Sequence, residues 1–331
     1  MPDEDRLRLD AHVHLLGIDQ REHKCFYAHP NSVVAFYVKR YVGARPGMTD
    51  AEVDDLYAEH LATMVRNAEH VDKALIFAME GAYDSDGRLN PKTEAIISND
   101  WAIQVCKRYP DEFLFGASIH PARPDALDEL ERCAAAGAVC VKWVPNSMNI
   151  DPADKRYEPF YDRMLELGLV LSSHTGYEHS VHVFDQSFGD PERLRLPLER
   201  GLKVVAGHAG TSGFYHRVEY FPNLVRLVNQ YERLYADTSA TANIIRASYR
   251  KRLLETPVVK DRLIQGTDYP VPPTPILWAC TLGPLNALKI QLVKNPFDRD
   301  YLGKVAAGFP MEHFFRGHDV FLSEGRRKTQ R

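Results

Sequence analysis

Short apolar runs recur along the chain, separated by stretches with helical periodicity. Eight segments read as strands: Leu7–His14, Lys73–Met79, Phe113–His120, Ala138–Val144, Leu169–His174, Lys203–His208, Leu234–Asp237 and Arg262–Asp268. Most are continuously apolar rather than alternating, as expected of strands covered on both faces in a parallel sheet. Between them, Ala126–Ala136, Tyr157–Leu167, Pro191–Arg200 and Pro222–Arg233 repeat apolar residues at helical spacing. From the fourth strand onward the strand ends recur about every 30 residues, one βα unit each. Eight such alternations without a Gly/Ser-rich linker predict an α/β protein, a single (β/α)8 TIM barrel over residues 1–331.

The first interval breaks this rhythm. Residues 17–70 hold Phe26, Tyr27, Phe36, Tyr37 and Tyr41, the bases Lys24, Lys39 and Arg40, and a helical stretch from Thr49 to Asn67. This reads as a long insertion after strand 1. Loops at that end of a barrel line the active-site face, so a lid or substrate wall is expected, with a packing or interface element as the alternative. Residues 271–331 read as C-terminal helices and a tail.

Composition narrows the class. The 331 residues are 44% hydrophobic and 26% charged, with a net charge of −4, which fits a globular chain and disfavours nucleic acid as a partner. The basic ending Gly325-Arg326-Arg327-Lys328 reads as a solvated terminus. The start, Met1-Pro2-Asp3-Glu4-Asp5-Arg6, lacks an apolar signal core, and no run of about 18 apolar residues suggests a membrane span. Five scattered cysteines without a CxxC fit reduced thiols and a cytoplasmic location.

The chemistry gathers at strand ends, where a barrel keeps its active site. In Asp10-Ala11-His12-Val13-His14, strand alternation would project His12 and His14 from one face. Later strands end in Lys142, His174, His208 and Asp268. A single histidine at a strand end is more often a hydrogen-bonded structural residue. Taken together and in order, this set reads as a divalent metal site. Imidazoles with a carboxylate suit zinc foremost, and also manganese, iron or cobalt. Glycines beside His174, His208 and Asp268 would leave room for an ion and substrate. Lys142 could pair with a substrate carboxylate or, if carbamylated, bridge two metals.

These motifs resemble the amidohydrolase superfamily, in its amidohydrolase-related branch that includes the aminocarboxymuconate semialdehyde decarboxylase-like proteins. The resemblance rests on Asp10–His14, Ser173-His174-Thr175-Gly176, Gly207-His208-Ala209-Gly210, Tyr235–Ala240 and Gly266-Thr267-Asp268-Tyr269-Pro270. It implies that His12, His14, His174 and Asp268 hold a catalytic metal, with His208 polarising substrate, moving protons or binding a second ion. The decarboxylase members mostly lack a lysine at the position of Lys142, which turns the expectation toward hydrolysis.

The expected reaction is therefore hydrolysis of an ester, lactone or amide bond in a small organic molecule. Asp268 would accept the proton of the attacking water and later protonate the leaving group. The alternative is a lyase, such as a decarboxylase, acting on an unsaturated or aromatic acid. A non-catalytic binding barrel would need spoiled ligands, and none is spoiled. Trp143, Asn146, Glu178 and Tyr269 are candidates for the substrate pocket. Lower in weight, Glu80 and His120 border the mouth, His179 and His182 lie in the loop after His174, and Asp237 could orient a ligand histidine. His313 and His318 read as structural. Barrels of this kind often associate, so a homo-oligomer is left open.

Overall fold

The computed structural model describes residues 6–30, 32–213 and 218–322. The basic ending at 325–328 and residues 1–5 lie outside the described residues. Eight parallel strands form one sheet in chain order: β1 Leu9–His14, β2 Lys73–Phe77, β3 Phe113–Ala117, β4 Ala138–Trp143, β5 Val170–His174, β6 Val204–Gly207, β7 Leu234–Asp237 and β8 Leu263–Ile264. Each lies within a predicted apolar run; Leu234–Asp237 keeps its full expected length and the others are shorter by one to five residues. The seam between first and last strands closes through backbone bonds: Ala11 N–H to Gln265 O (3.0 Å), Asp268 N–H to His12 O (2.9 Å) and His14 N–H to Tyr269 O (2.8 Å). The result is a (β/α)8 barrel.

The helices form where apolar positions repeat on one face. Helix Phe221–Gln230 buries Phe221, Leu224, Leu227 and Val228, a spacing that keeps one side against the strands. Helix Asp50–Arg66 starts at a capping box, in which Thr49 and Glu52 satisfy each other's backbone N–H groups. It falls within the helical stretch expected from Thr49 to Asn67. The rest of the first interval carries helix Val33–Tyr41 and a short strand, Phe26–Tyr27, paired antiparallel with Ala95–Ile96. Beyond residue 271 come helices Pro284–Gln291, Pro296–Ala306 and Glu312–Phe321; the last packs against β1 and β8.

Strand alternation sorts the side chains into two cores. The larger lies between sheet and helices and includes Trp143, Tyr161, Leu171 and Phe314. The smaller includes Leu75, Phe77, Cys140, Val170, Val205 and Ile264, with Val320 and Phe321 from the last helix. Phe77 packs edge-on to His12 at 5.2 Å, so this second core reaches up to the polar strand ends.

Candidate metal centre

The two strands of the seam bring His12, His14 and Asp268 together. Each offers one ligand atom, all within 4.8 Å of one another. Asp268 Oδ1 lies 3.1 Å from His14 Nε2 and 3.4 Å from His12 Nε2. Two neighbouring strands add imidazoles from the side: the His208 ring centroid is 5.0 Å from that of His12 and 4.6 Å from that of His174. His174 turns Nδ1 toward Glu178 Oε2 at 3.6 Å, while its Nε2 is buried with no hydrogen-bond partner. Leaving such an atom unsatisfied costs about 1–3 kcal/mol. A buried orphan nitrogen beside a His/His/Asp group fits a divalent ion, and the donor set suits a first-row metal.

Asp237, at the end of β7, prepares two of these rings. Its Oδ2 is 2.8 Å from His12 Nδ1. An ionised carboxylate only accepts, so His12 carries its proton on Nδ1 and presents a lone pair at Nε2. The other oxygen, Oδ1, accepts from the backbone N–H of His208 (2.9 Å) and from the Ser239 hydroxyl. His208 Nδ1 meets Ser239 Oγ at 2.8 Å and the Ser239 carbonyl at 3.3 Å. A carbonyl cannot donate, so this ring too is protonated at Nδ1 and basic at Nε2. One carboxylate thus sets both imidazoles as Lewis bases.

The electrostatics agree. Burial lowers His12, with nearby Lys142 adding to the effect, and burial brings His174 down to about 3. His208 is held well below the ordinary imidazole value by burial and by the Arg246 charge. These rings are therefore neutral at pH 7. Against the upward pull of burial, His12 holds Asp237 below the usual carboxylate range, and the His14 hydrogen bond does the same for Asp268. Lys142 is fully enclosed, its Nζ 3.0 Å from His12 Nε2 and 4.8 Å from the Phe77 ring centroid. Burial lowers its pKa, while Asp237 and Asp268 oppose that shift.

The backbone is bent to make this geometry. His208, Ala209 and Asp268 take left-handed conformations (φ 59°, 52° and 70°), uncommon for residues with a Cβ and typical of functional sites. Gly266 matters for space: a Cβ there would come within 2.8 Å of His12 Cβ.

Of the four expected pocket residues, only Glu178 sits by the histidines. The other three lie away from the histidine rings. Trp143 follows Lys142 on the strand and so points the opposite way, donating to Ile119 O (2.8 Å) and packing on Phe160 and Tyr161. Tyr269 turns outward against Phe297, with ring centroids 5.6 Å apart. Asn146 is fully buried and pins the loop after β5 through Gly176 O (3.1 Å) and Gln186 Oε1 (2.9 Å). His120 is locked between Met148 O and the Ala122 N–H. Glu80 pairs with Arg123 at 2.6 Å, on an open groove of about 500 Å³ that shares no residue with the His/Asp group. His182 is held by its backbone N–H to Glu94, and His179 stacks on Tyr177. Three contributors escaped the sequence reading: Ser239, Thr211 and Arg246. Ser239 falls inside the Tyr235–Ala240 motif without a role of its own there, and no motif marks Thr211 or Arg246; each acts through a loop conformation.

The family model described as Amidohydrolase matches residues 9–280, and the chain belongs to that family. It is an enzyme of the amidohydrolase superfamily, whose members use divalent metals and act on small molecules. No curated protein matches the sequence. Among solved structures, a TIM-barrel protein from Bordetella bronchiseptica is similar at 18% identity and a TM-score of 0.53, over 91% of this chain and 99% of that one. A 2,6-dihydroxybenzoate decarboxylase, bound to 2,6-dihydroxybenzoate, gives 15% identity and a TM-score of 0.53 over 98% of both chains. The Metarhizium anisopliae IDCase gives 14% and 0.51, over 99% of this chain and 98% of that one. At these identities the likeness is one of fold. Among the described residues, no helix is long and apolar enough to cross a membrane.

Proposed function

We propose that this chain is a metal-dependent hydrolase that cleaves an ester, lactone or amide bond in a small organic substrate. His12, His14, His174 and Asp268 would hold one divalent ion, foremost zinc. Lys142 and His208 are the candidates for a second. When bound, such an ion supplies Lewis acidity, polarising a carbonyl and acidifying water.

The observation that carries the reading is Asp268. Its carboxylate is buried, held ionised and shared between His12 and His14. In that state it accepts the proton of the attacking water and returns it to the departing oxygen or nitrogen. His208, basic at Nε2, is a second acceptor facing the same space. The surrounding burial keeps bulk water from competing for these protons.

A lyase reading, decarboxylation of an unsaturated or aromatic acid, uses the same ligands. The buried cation of Arg246 favours it, since a guanidinium suits a carboxylate substrate. Two assays separate the readings: acid release from a lactone and ester panel, and CO2 release from hydroxybenzoates. The Asp268→Asn variant is expected to keep its fold by circular dichroism and lose at least about 10²-fold in kcat. Wild-type turnover in that variant would remove Asp268 from the chemistry.

A further inference from the structure

Two helices in the connections of the seam strands carry apolar side chains outward. Helix Val33–Tyr41 lies between β1 and β2, and helix Pro284–Gln291 follows β8. The second helix buries Ala287 and Ile290 and turns Leu285, Leu288 and Leu292 to solvent on the opposite face. Spaced at i, i+3 and i+7, these leucines form one ridge, with Leu285 78% and Leu292 70% exposed. On the first helix Phe36 is 69% exposed and Tyr41 is exposed beside it. The two helices lean on a common support. Tyr41 packs edge-on to His60 at 5.1 Å, and Asn295, just past the leucine ridge, donates to Met64 O at 2.8 Å. His60 and Met64 stand on successive turns of helix Asp50–Arg66. A single exposed leucine is ordinary, whereas a contiguous ridge of this kind marks an interaction surface.

The charge around the ridge selects the occupant. No Asp or Glu occurs between Glu22 and Asp50, or between Asp268 and Asp298, although acids make up 45 of the 331 residues. Both helices lie in these acid-free stretches, and both carry bases. Lys39 has Asp50 at 3.9 Å. Arg40, Lys289 and Lys294 are exposed, and among the described residues no carboxylate pairs with them. Exposed Phe and Leu bordered by unpaired Lys and Arg suit the boundary between lipid headgroups and acyl chains. A second copy of the chain suits this face less well. A two-fold contact would set the bases of one copy against those of the other, with no acid between them.

We propose that this face docks on an anionic lipid bilayer. Phe36 and the leucine ridge enter the interface, while Arg40, Lys289 and Lys294 meet the acidic headgroups. The enzyme lies on the membrane surface and does not span it. This proposal does not depend on the metal-site reading.

The test is co-sedimentation of the full-length protein with vesicles of phosphatidylcholine and phosphatidylserine in equal parts, against vesicles of phosphatidylcholine alone. The mixed vesicles are expected to bind at least about tenfold more tightly, and added salt should weaken that binding. Replacing Lys289 and Lys294 together by Gln should cost about twentyfold, because each basic residue near an anionic surface is worth about fivefold. Leu285→Asn combined with Leu292→Asn should abolish binding to the same vesicles. All four side chains are exposed, so both variants should unfold at the wild-type temperature. Leu127→Asn combined with Leu165→Asn alters exposed leucines on other helices and should bind like the wild type. Equal binding to the two vesicle types would overturn the proposal, as would binding that survives the Leu285/Leu292 variant. Absence of vesicle binding, with a dimer in sedimentation velocity that this variant dissociates, would overturn it in favour of a second copy.

Discussion

At the scale of single residues, Asp237 has the widest reach. It touches His12 directly and His208 through the backbone and Ser239, and it fixes the tautomer of both rings. Asp237→Asn preserves size, but its amide would point a donor at the protonated His12 Nδ1. His12 must then move its proton to Nε2 and lose the lone pair meant for a metal. The variant is expected to fold and to bind zinc about 10–100-fold more weakly, measured by competition with a chromogenic chelator. Unchanged affinity would show that His12 Nε2 is not a ligand. Asp237 could be singled out in the sequence, because it closes a strand. Ser239 could not, since its hydroxyl matters only once the chain has turned back toward His208.

At the scale of elements, the sequence was a good guide to strands and a poorer one to the direction of side chains. Apolar runs bounded by polar residues located all eight strands, and parity within β1 put His12 and His14 on one side. The same parity, applied to β4, separates Lys142 from Trp143: one faces the histidines, the other faces helix Glu158–Glu166. Residues after a strand's end escape this rule. Asn146 and Tyr269 are placed by turns and distant packing that no local pattern records. His120 shows how such a turn is held. Its Nε2 meets Met148 O at 2.8 Å and its Nδ1 accepts from Ala122 N–H at 3.0 Å, joining the end of β3 to the short helix after β4. Burial brings it down to about 4 from an ordinary 6.5, so the folded protein resists a proton that the unfolded chain accepts. Its folded-state pKa lies below the unfolded one, so its contribution is intact above pH 6.5. That contribution falls away as pH drops from 6.5 toward 4, by at most about 3 kcal/mol. Urea unfolding at pH 7 and pH 5 checks this against His120→Asn, which keeps an acceptor for Ala122 but does not titrate. The variant should lose less stability between the two values than the wild type.

At the scale of the whole molecule, the metal site and the closure of the barrel are one construction. His12 and His14 belong to the first strand and Asp268 follows the last, so an ion between them would staple the seam. Behind the seam lies a buried polar network. Lys304 Nζ contacts Asp300 Oδ2 (2.6 Å), Gly266 O (2.7 Å) and Gln265 Oε1 (3.2 Å), and Asp10 Oδ1 accepts from the N–H groups of His12 and Thr267. These bonds hold the backbone on both sides of the seam at the positions from which His12 and Asp268 project. Zinc at 100 times its Kd should stabilise the chelator-treated protein by about 2.7 kcal/mol, a rise in Tm on the order of 4 °C. Lys304→Met leaves Asp300 buried without its cation and should cost about 3–5 kcal/mol. If the network sets the seam, Lys304→Met should also bind zinc more weakly, so the metal raises its Tm by less. Trp143→Leu provides the comparison, because it weakens the outer core without touching the seam and should respond to zinc like the wild type. Equal zinc shifts in Lys304→Met and Trp143→Leu would mean that the network serves stability alone. A smaller shift confined to Lys304→Met would mean that the last helices of the chain shape the ligand geometry supplied by the first strand.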